Sequence, residues 1–443
     1  MGSAGQSSVV PFVAARPRTA RAARVMPRVL GAASLATVTA TSLHVVTSAA
    51  SYPLPLVPAR LGGLPAWLRG PLSGPGYVLL EGDFAWAMMA MTVAYLVALK
   101  CTPALRARWL IATVVVVHVV FLLGPPLLSS DVFGYLDWAR MGVLHGLSPY
   151  STQAASVVSD PVYGFVRWHT LTSPYGPLFT LATYALVPLG LAGSLWALKL
   201  IVTVSSLGCA ALIWRCARAL GRSPQTALAL YGLNPAVLVY TLGGFHNDAI
   251  MMVMVMGAVS LAITGRERAG AVMGALAVAV KSSAGLVMPF LILGTSDRRR
   301  ALVTALAAGT AVLAVALLAF GGQAFGFINI LGTQQTLNSG SSVPAQLGAW
   351  FGWEGSPTPV RIVASALGVG AIAFFLARAW RGADWIEQAA WATLSLMVTS
   401  SWLLAWYIIW LVPLAALARS RALRLGAVAM TLFVVLVRTA PDL

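Results

Sequence analysis

Twelve acidic side chains are spread over 443 residues, so few places exist where a carboxylate could do chemistry. Asp131 is the first to stand out. It follows an apolar run, the Pro125-Pro126 break and two serines, and it opens Asp131-Val132-Phe133-Gly134-Tyr135. Residues 129–140 read as a short amphipathic helix with Ser130 or Asp131 as N-cap, which would fix the direction of the Asp131 side chain. A carboxylate there can be a cap and nothing more, worth about 1 kcal/mol. At a membrane edge the same residue carries further weight, because ionisable groups near bilayer depth mark functional sites. Asp137 lies six residues on and points away from Asp131 on a helix. It stands three residues from Arg140, the spacing of a local ion pair.

A second cluster lies in 233–249, where Gly243-Gly244 breaks the backbone at one end of an apolar run and His246-Asn247-Asp248 opens the next. A lone histidine in such a setting is usually packed and satisfied, and Asn247 or Asp248 must also serve as a cap. Three consecutive polar residues at a glycine-made bend point beyond capping. Lys281 is the third feature, in an apolar stretch of 270–294. A charge at the bilayer centre costs at least ~2.5–3.5 kcal/mol. Two half-length helices, 270–281 and 284–294, would carry Lys281 to the tip of a hairpin where it can meet a phosphate; a snorkelling lysine is the plain alternative. Arg167-Trp168-His169 leads into a Pro/Gly-stiffened loop that ends Ser173-Pro174-Tyr175-Gly176-Pro177. The segment 333–347 is rich in amides and hydroxyls, groups that suit sugar hydroxyls and equally a solvated loop. No P-loop, dinucleotide fingerprint or metalloprotease motif occurs, so a nucleotide-bound donor is not indicated. Energy must come from a pre-activated membrane-resident substrate or an ion gradient. The sequence indicates no cofactor and no metal set, and it leaves a divalent-metal requirement open.

The elements that hold these groups are dictated by composition. Hydrophobic residues make up 59% of the chain and charged ones 9%, against about 25% charged in a soluble domain. Such a chain cannot cover a water-facing surface, so lipid is its solvent and helices of about 20 apolar residues are its spans. The net charge of +17 does not indicate nucleic acid, because the basic residues fall in short groups between apolar runs rather than on one face. Cys101, Cys209 and Cys216 are too few for a disulfide framework or zinc site, and the last two read as small packing residues.

Residues 1–28 read as a flexible cytoplasmic tail and 29–443 as a single transmembrane domain. Expected spans are 29–50 (an uncleaved span rather than a signal peptide), 84–99, 109–128, 194–214, 224–241, 248–264, the split 270–294, 301–320, 360–379, 386–402, 403–417 and 423–438. The apolar 177–192, interrupted by Pro188 and Gly190, is taken to dip into the membrane without crossing. That places 21 of the 29 basic residues inside and the connections 51–83, 129–176 and 321–359 outside. Glu267, Asp297, Asp384 and Glu387 then fall at inner ends as solvated loop charges. Glu81, Asp83, Asp131, Asp137, Asp160, Asp248 and Glu354 fall on the outer side. Span interiors are nearly free of charge apart from Lys199, near a presumed inner-side region.

At these residues the chain resembles the actinobacterial polyprenyl-phosphomannose-dependent α-1,6-mannopyranosyltransferases of lipomannan synthesis, which have the GT-C fold. The matching stretches are Asp131–Tyr135 with Gly146–Tyr150, Ser173–Pro177, Leu233–Pro235 running to Gly243–Asp248, and Val280–Gly285 with Pro289. Trp406-Tyr407, Trp410 and Pro413 fit more loosely. The resemblance implies an all-α polytopic membrane protein of GT-C type. It would have about 11–13 transmembrane helices and short amphipathic helices in the first large outer loop. It further implies inverting transfer of mannose from a polyprenyl-phosphate-mannose donor to a mannan or lipoglycan acceptor, at the extracytoplasmic face of a bacterial cell membrane. Asp131 matches the family's catalytic aspartate and would deprotonate the acceptor. Lys281, His246 and Arg167 are candidates for the donor phosphate, and Tyr135, Tyr175, Asn247 and Asp248 for substrate contacts. Membrane lipids are the remaining partners. Transfer of another sugar, or transport or flipping of a lipid-linked substrate, are the competing readings; a transporter predicts ionisable residues near the midplane of several helices.

Overall fold

In lipid a backbone N–H or C=O has no water to bond, so each apolar run closes its hydrogen bonds internally as a helix. The computed structural model describes residues 18–49, 65–72, 83–328, 332 and 337–439, with only the backbone of 18–25. Among the described residues six helices are long and apolar enough to cross a membrane: Met26–Ser48, Asp83–Ala104, Pro177–Ala219, Arg298–Ile328, Thr358–Trp380 and Arg421–Thr439. Four shorter apolar helices, Ala107–Leu123, Asp248–Ile263, Ser282–Leu293 and Ala405–Ala416, pack among them. The molecule is an all-α polytopic membrane protein.

Several expected spans are shorter or broken. The run 109–128 ends at Leu123, because Gly124-Pro125-Pro126 supplies no further helical donors at 125 and 126. The run 224–241 stops as an α-helix at Gly232, before Asn234-Pro235, and resumes as a π-helical turn Val237–Leu242. Such turns occur frequently at functional sites. The apolar 177–192 forms the helix Pro177–Tyr184 and a tight turn through Pro188, from which the 30-residue helix Gly190–Ala219 starts. The first helix begins already at Arg18, inside the expected flexible tail of 1–28, whose remaining residues lie outside the described ones. It packs on the helices Asp83–Cys101 and Ala107–Leu123.

The core is centred on Asp248–Ile263, wedged among Gly190–Ala219, Glu267–Val280 and Ile408–Ala416. Arg298–Phe320 and Thr358–Trp380 lie at the rim and leave most of their apolar side chains uncovered, Leu318 at 89% and Ile362 at 64% exposure. Lipid is the solvent that tolerates such surfaces.

The two ends of the bundle differ in chemistry. At one end Arg222 pairs with Asp384 at 2.9 Å, Arg298 lies over Trp380, and Glu387 accepts from the Arg419 and Ser420 amides. Glu267 accepts from the Ser296 amide and hydroxyl at 2.8 and 2.9 Å. That clasp joins the outer limits of the 267–293 hairpin, whose two arms meet again at Lys281. These carboxylates are partly exposed loop charges, as expected, and they also staple the loops they sit in. Lys199 is a correction: its ammonium donates to the Gly124 carbonyl at 2.6 Å and lies over the Trp196 and Phe245 rings. It belongs to the end that carries Asp131, not to the end with the basic groups. The three cysteines are buried and free.

Candidate active site

Two strained bends set the site. Leu128 (φ 60°) and Phe245 (φ 52°) are the non-glycine residues with left-handed backbone among the described residues. Each immediately precedes site residues, where strain of order 1–3 kcal/mol is retained only if the surroundings enforce it. The surroundings are visible: the Leu127 amide donates to the Gly243 carbonyl at 2.8 Å, tying the Pro125-Pro126 break to the glycine bend. A side chain at Gly243 would overlap the Val239 carbonyl of its own turn and crowd Leu127 Cδ1 at 3.0 Å, so glycine suits the close approach of the two segments.

Asp131 opens the helix Asp131–His145, and its amide is accepted by the Ser129 hydroxyl at 3.2 Å. The helix runs past residue 140, and its first turns are buried on nearly every side rather than along one amphipathic face. Asp131 Oδ2 lies 3.4 Å from His246 Nδ1 and 3.5 Å from the Tyr175 hydroxyl. The His246 ring is fully buried and stacks on Trp406 at 3.8 Å with 15° between planes. Burial alone would raise the Asp131 carboxyl; His246, Lys281 and Ser129 outweigh it and hold the group below the ordinary carboxylate range. Burial, with the charges of Asp131 and Asp248, pushes the Tyr135 and Tyr175 hydroxyls well above their ordinary value, so both remain donors.

Asp248 is fully buried beside this centre. Lys281 Nζ donates to its Oδ2 at 2.7 Å and Trp410 Nε1 to its Oδ1 at 2.6 Å. Neither Asn247 nor Asp248 caps its helix through the side chain, contrary to expectation. Asn247 Oδ1 lies 3.4 Å from the Tyr135 hydroxyl and 3.5 Å from Lys281 Nζ. Asn247 Nδ2 has no partner among the described residues. Lys281 is the extended residue between Val280 and Ser282, and its ammonium faces the rings of Tyr175, Tyr407 and Trp410 at 5.6, 5.5 and 5.8 Å. Gly176 brings Tyr175 to it. The Gly176 amide donates to the Val280 carbonyl at 3.1 Å, and a Cβ there would overlap the Ala279 carbonyl.

Of the sequence candidates, Asp131, Tyr135, Tyr175, His246, Asn247, Asp248 and Lys281 converge. Arg167 does not join them; it is exposed and lies over Trp168, whose ring meets Trp402 edge-on. Arg140 pairs with Asp160 at 2.8 Å, not with Asp137, and His145 approaches the same carboxylate at 3.1 Å. Asp137 is left buried with neither oxygen partnered among the described residues. Burial, reinforced by Asp160, pushes its carboxyl up to about 7. Residues 333–336 of the amide-rich loop lie outside the described residues, while Ser339 anchors to the Ser401 and Leu403 carbonyls. Trp406, Tyr407 and Trp410 escaped the sequence reading as site residues. The available signal was that Trp410 stands four residues from Trp406 and three from Tyr407, both helical-neighbour spacings. Among the described residues no group of three or more His, Cys, Asp or Glu side chains is placed to hold a metal ion.

Comparison with known proteins converges on one family. The model described as alpha-(1->6)-mannopyranosyltransferase, N-terminal domain, matches residues 28–297, more than half of the chain. Alpha-(1->6)-mannopyranosyltransferase A of Mycobacterium tuberculosis is 34% identical over 189 residues, 41% of this chain and 36% of that protein. A probable alpha-(1->6)-mannopyranosyltransferase of Mycolicibacterium smegmatis is 28% identical over 375 residues, 71% of this chain and 66% of that protein. The matched part thus spans about a third to two thirds of these relatives' own length. No solved structure matches.

Proposed function

The chain belongs to the alpha-(1->6)-mannopyranosyltransferase family, and from that membership we propose that it transfers mannose from polyprenyl-phosphate mannose to a mannan or lipoglycan acceptor. The reaction is inverting and takes place at the extracytoplasmic face of a bacterial membrane. The observation that carries the reading is the Asp131 carboxylate, held below its ordinary range by His246, Lys281 and Ser129, with the His246 ring and the Tyr175 hydroxyl within 3.5 Å of it.

In the proposed step an acceptor hydroxyl oxygen attacks the anomeric carbon of the donor. The bond from that carbon to the phosphate oxygen breaks, the new glycosidic bond forms on the opposite face, and the hydroxyl proton passes to Asp131. The lipid phosphate leaves with its charge raised, so no second carboxylate is needed to protonate it. Cations take up that charge. Lys281, held by Asp248 and Trp410, and His246 are the groups proposed for it, and Tyr135, Tyr175 and Asn247 would orient the sugar. A transporter would distribute ionisable groups along several helices; here Lys199 lies at the Asp131 end, against Gly124.

The test is to incubate purified protein with radiolabelled polyprenyl-phosphate mannose and a short α-mannoside. Elongated α-linked product from wild type but not from Asp131→Asn supports the reading. Label that stays on the lipid, in protein whose fold is verified, sinks it.

A further inference from the structure

Arg438, in the last turn of the helix Arg421–Thr439, plays no part in the centre described above. That helix packs on the turn Ala405–Tyr407 that presents Trp406 to His246. Arg438 lies within electrostatic reach of both Tyr240 and Arg167. Its Nε is buried without a hydrogen-bond partner, as is Trp402 Nε1, among the described residues. Trp402 meets Trp168 edge-on with ring centroids 6.4 Å apart, and the Arg167 guanidinium lies 5.6 Å from the Trp168 ring. Tyr240 is joined to the centre through its neighbour Thr241, whose hydroxyl donates to the Trp406 carbonyl at 3.2 Å.

Two guanidiniums near each other repel and should attract carboxylates. None of the ion pairs among the described residues includes Arg167 or Arg438. An unpartnered buried donor is destabilising, and an anionic ligand would satisfy it. Lys281, by contrast, is already matched by Asp248 at 2.7 Å, and the buried Lys199 ammonium is taken up by the Gly124 carbonyl.

We propose that Arg438 and Arg167, with Trp402 as a further donor, form a binding site for the phosphate ester of a membrane-anchored ligand. This deepens the transferase reading, in which the ligand is the lipid carrier of the donor and of the spent product. A phospholipid headgroup offers the same phosphate ester and is the other source. Arginine suits either, since its fork can take two phosphate oxygens at once.

The experiment is equilibrium binding of polyprenyl monophosphate, and separately of phosphatidylglycerol, to the detergent-purified full chain. The proteins are wild type, Arg438→Gln, Arg438→Lys and Arg167→Gln. Loss of one charge-assisted contact should raise Kd for the bound ligand roughly 10-fold or more, with partial recovery in Arg438→Lys. A change confined to polyprenyl monophosphate assigns the site to the carrier; one confined to phosphatidylglycerol assigns it to a headgroup. Unchanged Kd for both lipids in Arg167→Gln, which alters an exposed residue and should fold, and in folded Arg438→Gln overturns the proposal. Binding does not require turnover. If wild type transfers no mannose yet the arginine variants lose the lipid phosphate, the anion site stands and the transferase reading falls.

Discussion

Asp248 Oδ2 lies 2.7 Å from Lys281 Nζ, and Trp410 closes the other carboxylate oxygen at 2.6 Å. The lysine that stands alone in an apolar stretch of sequence is thus matched by a buried acid from a neighbouring helix. Removing one member of such a pair leaves the other uncompensated and typically costs 3–5 kcal/mol. Lys281→Met and Asp248→Asn should each therefore lower thermal stability markedly. Lys281→Met/Asp248→Asn should be less destabilised than the sum of the singles. Additive losses in a thermal-shift cycle would show that the pair is not coupled.

For Asp131→Asn the expectation is a 10²–10⁴-fold fall in turnover, the usual contribution of a general base, with donor binding retained. Because His246, Lys281 and Ser129 together hold this carboxyl below its ordinary range, the acid limb of the wild-type rate profile attributable to it should fall below about pH 4. Glu354→Gln, at an exposed loop residue, is the control. Normal turnover in Asp131→Asn with a dead His246→Gln would move the base to the glycine bend.

Asp137 supplies a pH signature of a different kind. Its carboxyl is pushed up to about 7 in the fold, so between pH 4 and 7 the unfolded chain has released the proton while the folded one retains it. Stability contributed by this group is complete at low pH, falls through that window and is flat above it, a loss of at most about 4 kcal/mol. Asp137→Asn should abolish that part of the slope. Thermal-denaturation profiles from pH 4 to 8 that run parallel in wild type and variant would refute the assignment.

Gly176→Ala should reduce activity by at least about 10-fold with secondary structure intact, because the new methyl group meets the Ala279 carbonyl beside Lys281. The loop would be displaced and Tyr175 drawn away from Asp131. Circular dichroism together with transfer rate separates this from unfolding.

A cysteine at the exposed Ser156 reports the side of the membrane. Reaction with an impermeant thiol reagent in intact cells is expected for an outward-facing site. Labelling only after lysis would reverse the topology and relocate the proposed chemistry.

What the sequence by itself determined was the class of solvent and the residues that matter. A chain with 9% charge and apolar runs of about 20 residues folds as membrane helices, and polar groups that interrupt such runs are costly enough to be noticed. That is why Asp131, His246-Asn247-Asp248, Tyr175 and Lys281 were legible, as was the glycine bend that carries three of them. Pairing was not. Local spacing matched Asp137 to Arg140, whereas the fold gives Arg140 to Asp160 from the far side of a loop and leaves Asp137 alone. The same holds for Lys281 with Asp248, for His246 with Trp406, and for Lys199, whose end of the bundle is fixed by the Gly124 carbonyl. Each of these depends on which helices lie side by side. Helix periodicity says which face is apolar, but the neighbour that covers it is decided by packing of the whole bundle.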